Sequence, residues 1–95
     1  MIKIISIPLE FRGKEYYTLI RVSRKPQCTQ LKVTIMNGDL ERALYGNNVF
    51  EYRNGYLIAD ISAKDDETVM LQSAVLTALD AYLQQHPLGK LLPTA

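Results

Sequence analysis

The chain has 95 residues, 47% of them hydrophobic and 22% charged, with a net charge of +1. That is one domain with one core, too apolar and too close to neutrality for a disordered segment. It also lacks the net positive charge that dominates tight non-specific nucleic-acid binding. A single cysteine, Cys28, and a single histidine, His86, exclude an intrachain disulfide and a cysteine-rich zinc site.

Strand signals come first. Arg12-Gly13 sits between two runs of alternating apolar residues, Ile2–Phe11 and Lys14–Ser23. A two-residue loop with Gly13 at positive φ pairs Phe11 with Lys14, Leu9 with Tyr16, Ile7 with Thr18, Ile5 with Ile20 and Lys3 with Val22. One face of this hairpin is then almost wholly apolar, and a one-residue slip destroys the match. Two features oppose a central position: Glu10 faces Glu15, and Pro8 removes one ladder donor. The first strand is therefore expected at a sheet edge or with a bulge. After a loop at Pro26, a third strand is expected over Gln30–Met36. Asp39 then reads as the cap of a short helix, Leu40–Tyr45, closed by Gly46.

Asn54-Gly55 is the strongest local signal and marks a type I′ hairpin in which Tyr52 faces Leu57 and Phe50 faces Ala59, with Ile61 further along. A long helix opens near Ser62–Glu67, capped by Ser62 or Asp65, with Asp65, Asp66 and Glu67 suiting the positive end of its dipole. Leu71, Val75, Ala78, Leu79 and Tyr82 form its buried stripe, and Asp66, Ser73, Thr77, Asp80 and Gln84 its wet side. Pro87 ends the helix at His86. The tail, residues 88–95, is expected to be mobile or to dock through Leu88, Leu91 and Leu92. The fold class is α+β: an antiparallel sheet of about five strands in the order β-β-β-α-β-β-α, packed against a long C-terminal helix.

The residues offer no catalytic constellation. His86 has no nucleophile beside it in sequence and reads as a helix-end residue. Cys28 follows the basic Arg24 and Lys25, yet has no base to pair with it. The acidic run at residues 65–67 has the composition of a magnesium site but is explained by the helix N-terminus. Phosphate-loop and dinucleotide motifs are absent. No metal and no cofactor are expected. No apolar run approaches the roughly 20 residues that span a bilayer. Ile4–Ile7 is too short for a signal-peptide core, and no membrane association is expected.

Two surfaces stand out. Residues 1–36 hold seven basic against two acidic groups, a net of +5, while residues 37–95 hold four against eight, a net of −4. Arg12, Lys14, Arg21, Arg24 and Lys25, with Tyr16 and Tyr17 between them, form a candidate anion-binding cluster. Solubilising charge on an edge hairpin accounts for it equally well. The second surface is the sheet face opposite the core. It holds Ile2, Ile4, Tyr17, Leu19, Met36, Val49, Tyr56 and Ile58, mixed with Arg21, Lys32, Thr34, Glu51, Arg53 and Asp60. A fully solvated face is polar at most positions. Either the short helix covers this one with Leu40, Ala43 and Leu44, or the face is a contact surface.

The segments Phe11-Arg12-Gly13-Lys14-Glu15-Tyr16, Asn37-Gly38-Asp39-Leu40 and Ala78-Leu79-Asp80-Ala81-Tyr82-Leu83 resemble those of small uncharacterised bacterial α+β proteins of about this length. That resemblance implies a bacterial, cytoplasmic protein and carries no functional residue with it. The resulting expectation is a single domain, residues 1–95, acting as a non-catalytic binding or protein-interaction module through a protein partner or as a homodimer. The alternative is a weak binder of nucleic acid or another anionic partner through the basic hairpin.

Overall fold

The computed structural model describes residues 2–59 and 65–86 of the chain. Strands β1 (Ile2–Phe11) and β2 (Lys14–Arg24) are joined by Arg12-Gly13, and every pairing expected from the two-residue loop is present. Both loop residues adopt positive φ, 53° at Arg12 and 76° at Gly13. This is the signature of a type I′ turn, whose twist matches that of the strands it joins. The sequence reading assigned positive φ to Gly13 alone, but a turn of this type requires it at both positions. The same turn recurs at Asn54 (φ 53°) and Gly55 (φ 83°). There it joins β4 (Val49–Arg53) to β5 (Tyr56–Ala59) with Tyr52 opposite Leu57 and Phe50 opposite Ala59.

Strand β3 (Thr29–Ile35) lies between the hairpins and completes a five-stranded antiparallel meander in the order β1-β2-β3-β4-β5. β1 is an edge strand, as its proline suggests. The role of Pro8 is nevertheless different from the one expected. In a two-residue hairpin the pair flanking the loop exchanges ladder bonds and the next pair does not. Pro8 stands opposite Tyr17 at a non-bonded position, and the Tyr17 carbonyl accepts from the Met36 N–H of the β3 side at 2.9 Å. The missing N–H of Pro8 is thus one that would point out of the sheet, and no ladder bond is lost.

Helix α1 (Gly38–Leu44) starts two residues earlier than expected. Its cap is Asn37 rather than Asp39: the Asn37 side-chain oxygen accepts from the Asp39 and Leu40 N–H groups, each at 3.1 Å. Asn37 holds the extended backbone a cap requires, whereas Asp39 lies inside the first turn and pairs with Arg42. Helix α2 (Asp66–Gln85) is capped by Asp65, whose carboxylate accepts from the Glu67 N–H at 3.2 Å. Ser62, the other candidate cap, and Ile61, Pro87 and residues 88–95 lie outside the described residues.

Both helices pack on the same face of the sheet. The core unites Ile5, Ile7, Leu9 and Phe11 of β1, Ile20 and Val22 of β2, Leu31, Val33 and Ile35 of β3 and Phe50 of β4 with Leu40 and Leu44 of α1 and Leu71, Val75, Leu79 and Leu83 of α2. Ala78 and Tyr82 are half-buried at the border of this stripe, and all five expected wet positions are exposed. Leu83, Thr68 and Gln72 were not expected inside. The two polar side chains are tolerated because backbone acceptors meet them: Thr68 donates to the Ala43 carbonyl at 2.9 Å and Gln72 to the Asn47 carbonyl at 3.2 Å. These bonds tie α2 to α1 and to the loop after it. On the sheet, buried Thr18 donates across the strand pair to the Ile7 carbonyl at 2.7 Å.

Leu79 is fully buried, and Thr77, two residues before it, is exposed on the opposite side of the helix. Leu79→Ala is expected to lower unfolding free energy by about 2–5 kcal/mol, and Thr77→Ala by under about 0.5, in urea titrations. Arg12→Asn places a residue tolerant of positive φ in the first turn and is expected to raise stability by a few tenths of a kcal/mol. An equal or lower denaturation midpoint would show that Arg12 contributes more than its backbone costs.

Candidate interaction face

Alternation fixes which side chains leave the core. Ile5, Ile7 and Leu9 point to the helices, so Ile4, Ser6, Pro8 and Glu10 point away; on β2 the outward set is Glu15, Tyr17, Leu19 and Arg21. The opposite face carries Ile4, Tyr17, Leu19, Met36, Val49, Tyr56 and Ile58 with between 38% and 73% of their surface exposed. Ile2 pairs with Ser23 at the end of β1, and its side chain lies outside the described set. Leu40 and Leu44 are buried in the core with α2, and Ala43 packs against that cluster. The short helix therefore does not cover this face, and of the two explanations drawn from the sequence that one is removed.

The polar groups on the face are ordered by the strand register. Glu10 stands opposite Glu15 near the hairpin turn, and Arg21 stands opposite Lys32 further along β2. Both are like-charge neighbours on adjacent strands, an arrangement that costs stability in an isolated sheet. Arg53, by contrast, reaches Glu51 of its own strand at 3.0 Å. Ile4, Leu19, Arg21, Lys32 and Thr34 line a shallow depression of about 190 Å³. It has two cations on an apolar floor, the surroundings that strengthen an interaction with an incoming carboxylate or phosphate.

The five basic residues singled out in the sequence are not brought together. Lys14 and Arg24 are the two ends of β2, an 11-residue strand, and are therefore about 30 Å apart. Arg12, at the turn, lies over the Phe11 ring, 5.0 Å from its centroid, and reaches Glu67 of α2 at 3.9 Å. Arg24 and Lys25 flank the β2–β3 loop, where the Lys25 N–H donates to the Cys28 carbonyl at 2.8 Å. Only Arg21 stands on the open face, and its neighbour there is Lys32. That pairing was not read from the sequence because it depends on the β2–β3 register, which no turn motif sets.

The remaining candidates have structural partners. The His86 ring stacks on Tyr82 at 4.4 Å between centroids, and the His86 backbone N–H donates to the Tyr82 carbonyl at 2.8 Å. The Asp65 carboxylate caps α2 and, at 3.3 Å, shares with the Ala43 carbonyl the single proton of the Thr68 hydroxyl. Among the described residues no three His, Cys, Asp or Glu side chains converge as a metal-binding group. No described helix is long and apolar enough to cross a membrane. Comparison with protein-family models, with curated proteins and with solved structures finds no match for this chain.

With its basic groups spread along β2, the hairpin presents no continuous track for a phosphate backbone. A gel shift with single-stranded oligonucleotide at about 50 mM salt is expected to show no retardation at micromolar protein. Retardation that falls steeply with salt and is lost in Arg12→Ala/Lys14→Ala would revive the nucleic-acid reading.

Proposed function

We propose that this chain is a non-catalytic interaction module that associates with a second copy of itself through the open face of its sheet. The observation that carries the reading is the set of seven exposed apolar side chains on one sheet face, with both helices packed on the other. An antiparallel sheet with a single covered side normally alternates apolar inward and polar outward. Here alternation delivers apolar residues outward as well, the composition of a sheet that packs on both sides.

The edges of the sheet favour this mode over strand addition. Pro8 removes an outward-pointing donor from the free edge of β1, and Glu10 adds charge beside it. The other edge is β5, four residues long among the described residues. Short strands, proline and charge are the features that suppress edge-to-edge pairing. Self-contact is therefore left to the face. The resemblance to small bacterial α+β proteins supports placing the module in the bacterial cytoplasm. The alternative, an anionic partner, draws its support from the Arg21–Lys32 depression alone.

Sedimentation velocity from about 10 μM to about 1 mM tests the proposal, a range that captures weak association. The wild type is expected to shift toward dimer as concentration rises. Leu19→Glu, which puts a carboxylate in the middle of the face and leaves the core untouched, is expected to remain monomeric with unchanged circular dichroism. A wild type that stays monomeric throughout, or a Leu19→Glu protein that associates as the wild type does, would overturn the reading.

A further inference from the structure

Resting on self-association through the open face, we infer its register: the copies stack with their β2 strands antiparallel and crossing near Thr18, so that Glu15 of each enters the Arg21–Lys32 depression of the other. Two like-charge pairs set this register. Glu10 and Glu15 lie at one level of the face, and Arg21 and Lys32 at another, six residues along β2. Among the described residues none of the four is in an ion pair. Each pair is a local electrostatic conflict inside one copy, and each has the sign that the other lacks.

Two-fold symmetry allows two simple ways for a sheet face to meet its own copy. With the dyad along the strands, residues at the same level meet, so acidic pairs oppose acidic pairs and basic pairs oppose basic pairs. With the dyad across the strands, β2 stacks antiparallel on β2 and levels are exchanged about its midpoint. Thr18 lies midway between Glu15 and Arg21. A dyad there places Glu15 over Arg21 of the second copy, with Glu10 and Lys32 one strand to either side. The same operation places Tyr17 over Leu19 and Leu19 over Tyr17, so the apolar centre is matched; each like-charge pair gains one opposite charge through Glu15 and Arg21, while Glu10 comes over Ile4 of the second copy. Packed sheets are about 10 Å apart, a gap that Arg and Glu side chains standing off facing strands together span.

This register uses β1, β2 and the end of β3. β4 begins opposite Lys32, at the level of Arg21, so Val49, Tyr56 and Ile58 lie beyond the overlap. With only β1, β2 and the end of β3 in the overlap, the contact is smaller than the roughly 800 Å² per partner of a standard interface, and the dimer is accordingly weak.

Charge swapping tests the register. Within one copy Glu15→Arg faces Glu10, and Arg21→Glu faces Lys32. Both substitutions thus replace a like-charge pair by an opposite one, and neither is expected to lower the melting temperature. Each alone is expected to raise the dimer dissociation constant at least about tenfold, since both symmetric contacts change from attraction to repulsion. The double variant Glu15→Arg/Arg21→Glu is expected to return to within a few-fold of the wild type, and an equimolar mixture of the two single variants to form a heterodimer. Ile58→Glu is expected to associate as the wild type does. If Leu19→Glu abolishes association but the single swaps leave it unchanged, or the double variant fails to recover it, the register is overturned and the open face remains the contact. A wild type that is monomeric at about 1 mM removes both.

Discussion

The pairing of Phe11 with Lys14 across a two-residue turn is the constraint on which the rest of the molecule depends. It sets the parity of both long strands, so that Ile5, Ile7, Leu9 and Phe11 share a face with Ile20 and Val22. β3 then inherits that parity, with Val33 opposite Ile20 and Leu31 opposite Val22. A slip of one residue would present the helices with Ile4, Ser6, Pro8 and Glu10 and send the core residues to water. The cost of this arrangement is a left-handed backbone at Arg12, a residue with no special tolerance for it. Burial of the β1 face outweighs that local cost, since each large aliphatic side chain removed from water contributes about 1.5–3 kcal/mol.

The same parity produces the open face. With α1 and α2 side by side on one side of the sheet, the other is left without a covering layer among the described residues. Its apolar residues contribute little to the monomer and are available to an association. The charges there are equally a product of register, because only the antiparallel β2–β3 pairing brings Arg21 beside Lys32. What holds the monomer together and what the monomer presents outward thus follow from one turn. The polar bonds from α2 to the Ala43 and Asn47 carbonyls are a separate device: they fix α1 and its following loop on the helix side of the sheet.

Features governed by local chemistry were legible in the sequence. Arg12-Gly13 and Asn54-Gly55 announced their turns, and each turn gave its register without further information. The wet side of α2 followed from helical period alone. Features that depend on tertiary placement were not legible. Whether Leu40 and Leu44 join the core or cover the opposite face is decided by the side of the sheet on which α1 crosses from β3 to β4, and no residue within the helix records that. Thr68 and Gln72 look like surface residues until the α1 and loop carbonyls that accept from them are in place. The basic cluster misled for a related reason: residues close in sequence along an extended strand are far apart in space, and Arg21 found its neighbour on β3. Asn37 is legible in principle, since asparagine is as good a cap as aspartate; Asp39, two residues on, has the same capping chemistry, and only the extended backbone at Asn37 decides between them.

Methyl-detected NMR of the wild-type protein over a concentration series reads the face directly, without any substitution. Concentration-dependent shifts confined to the methyl groups of Ile4, Leu19 and Met36, with those of Leu71, Val75 and Leu79 unmoved, are the result that self-association through the open face predicts. Shifts concentrated on the helix side, at Met70 for instance, or spectra that do not change up to about 1 mM, would contradict it.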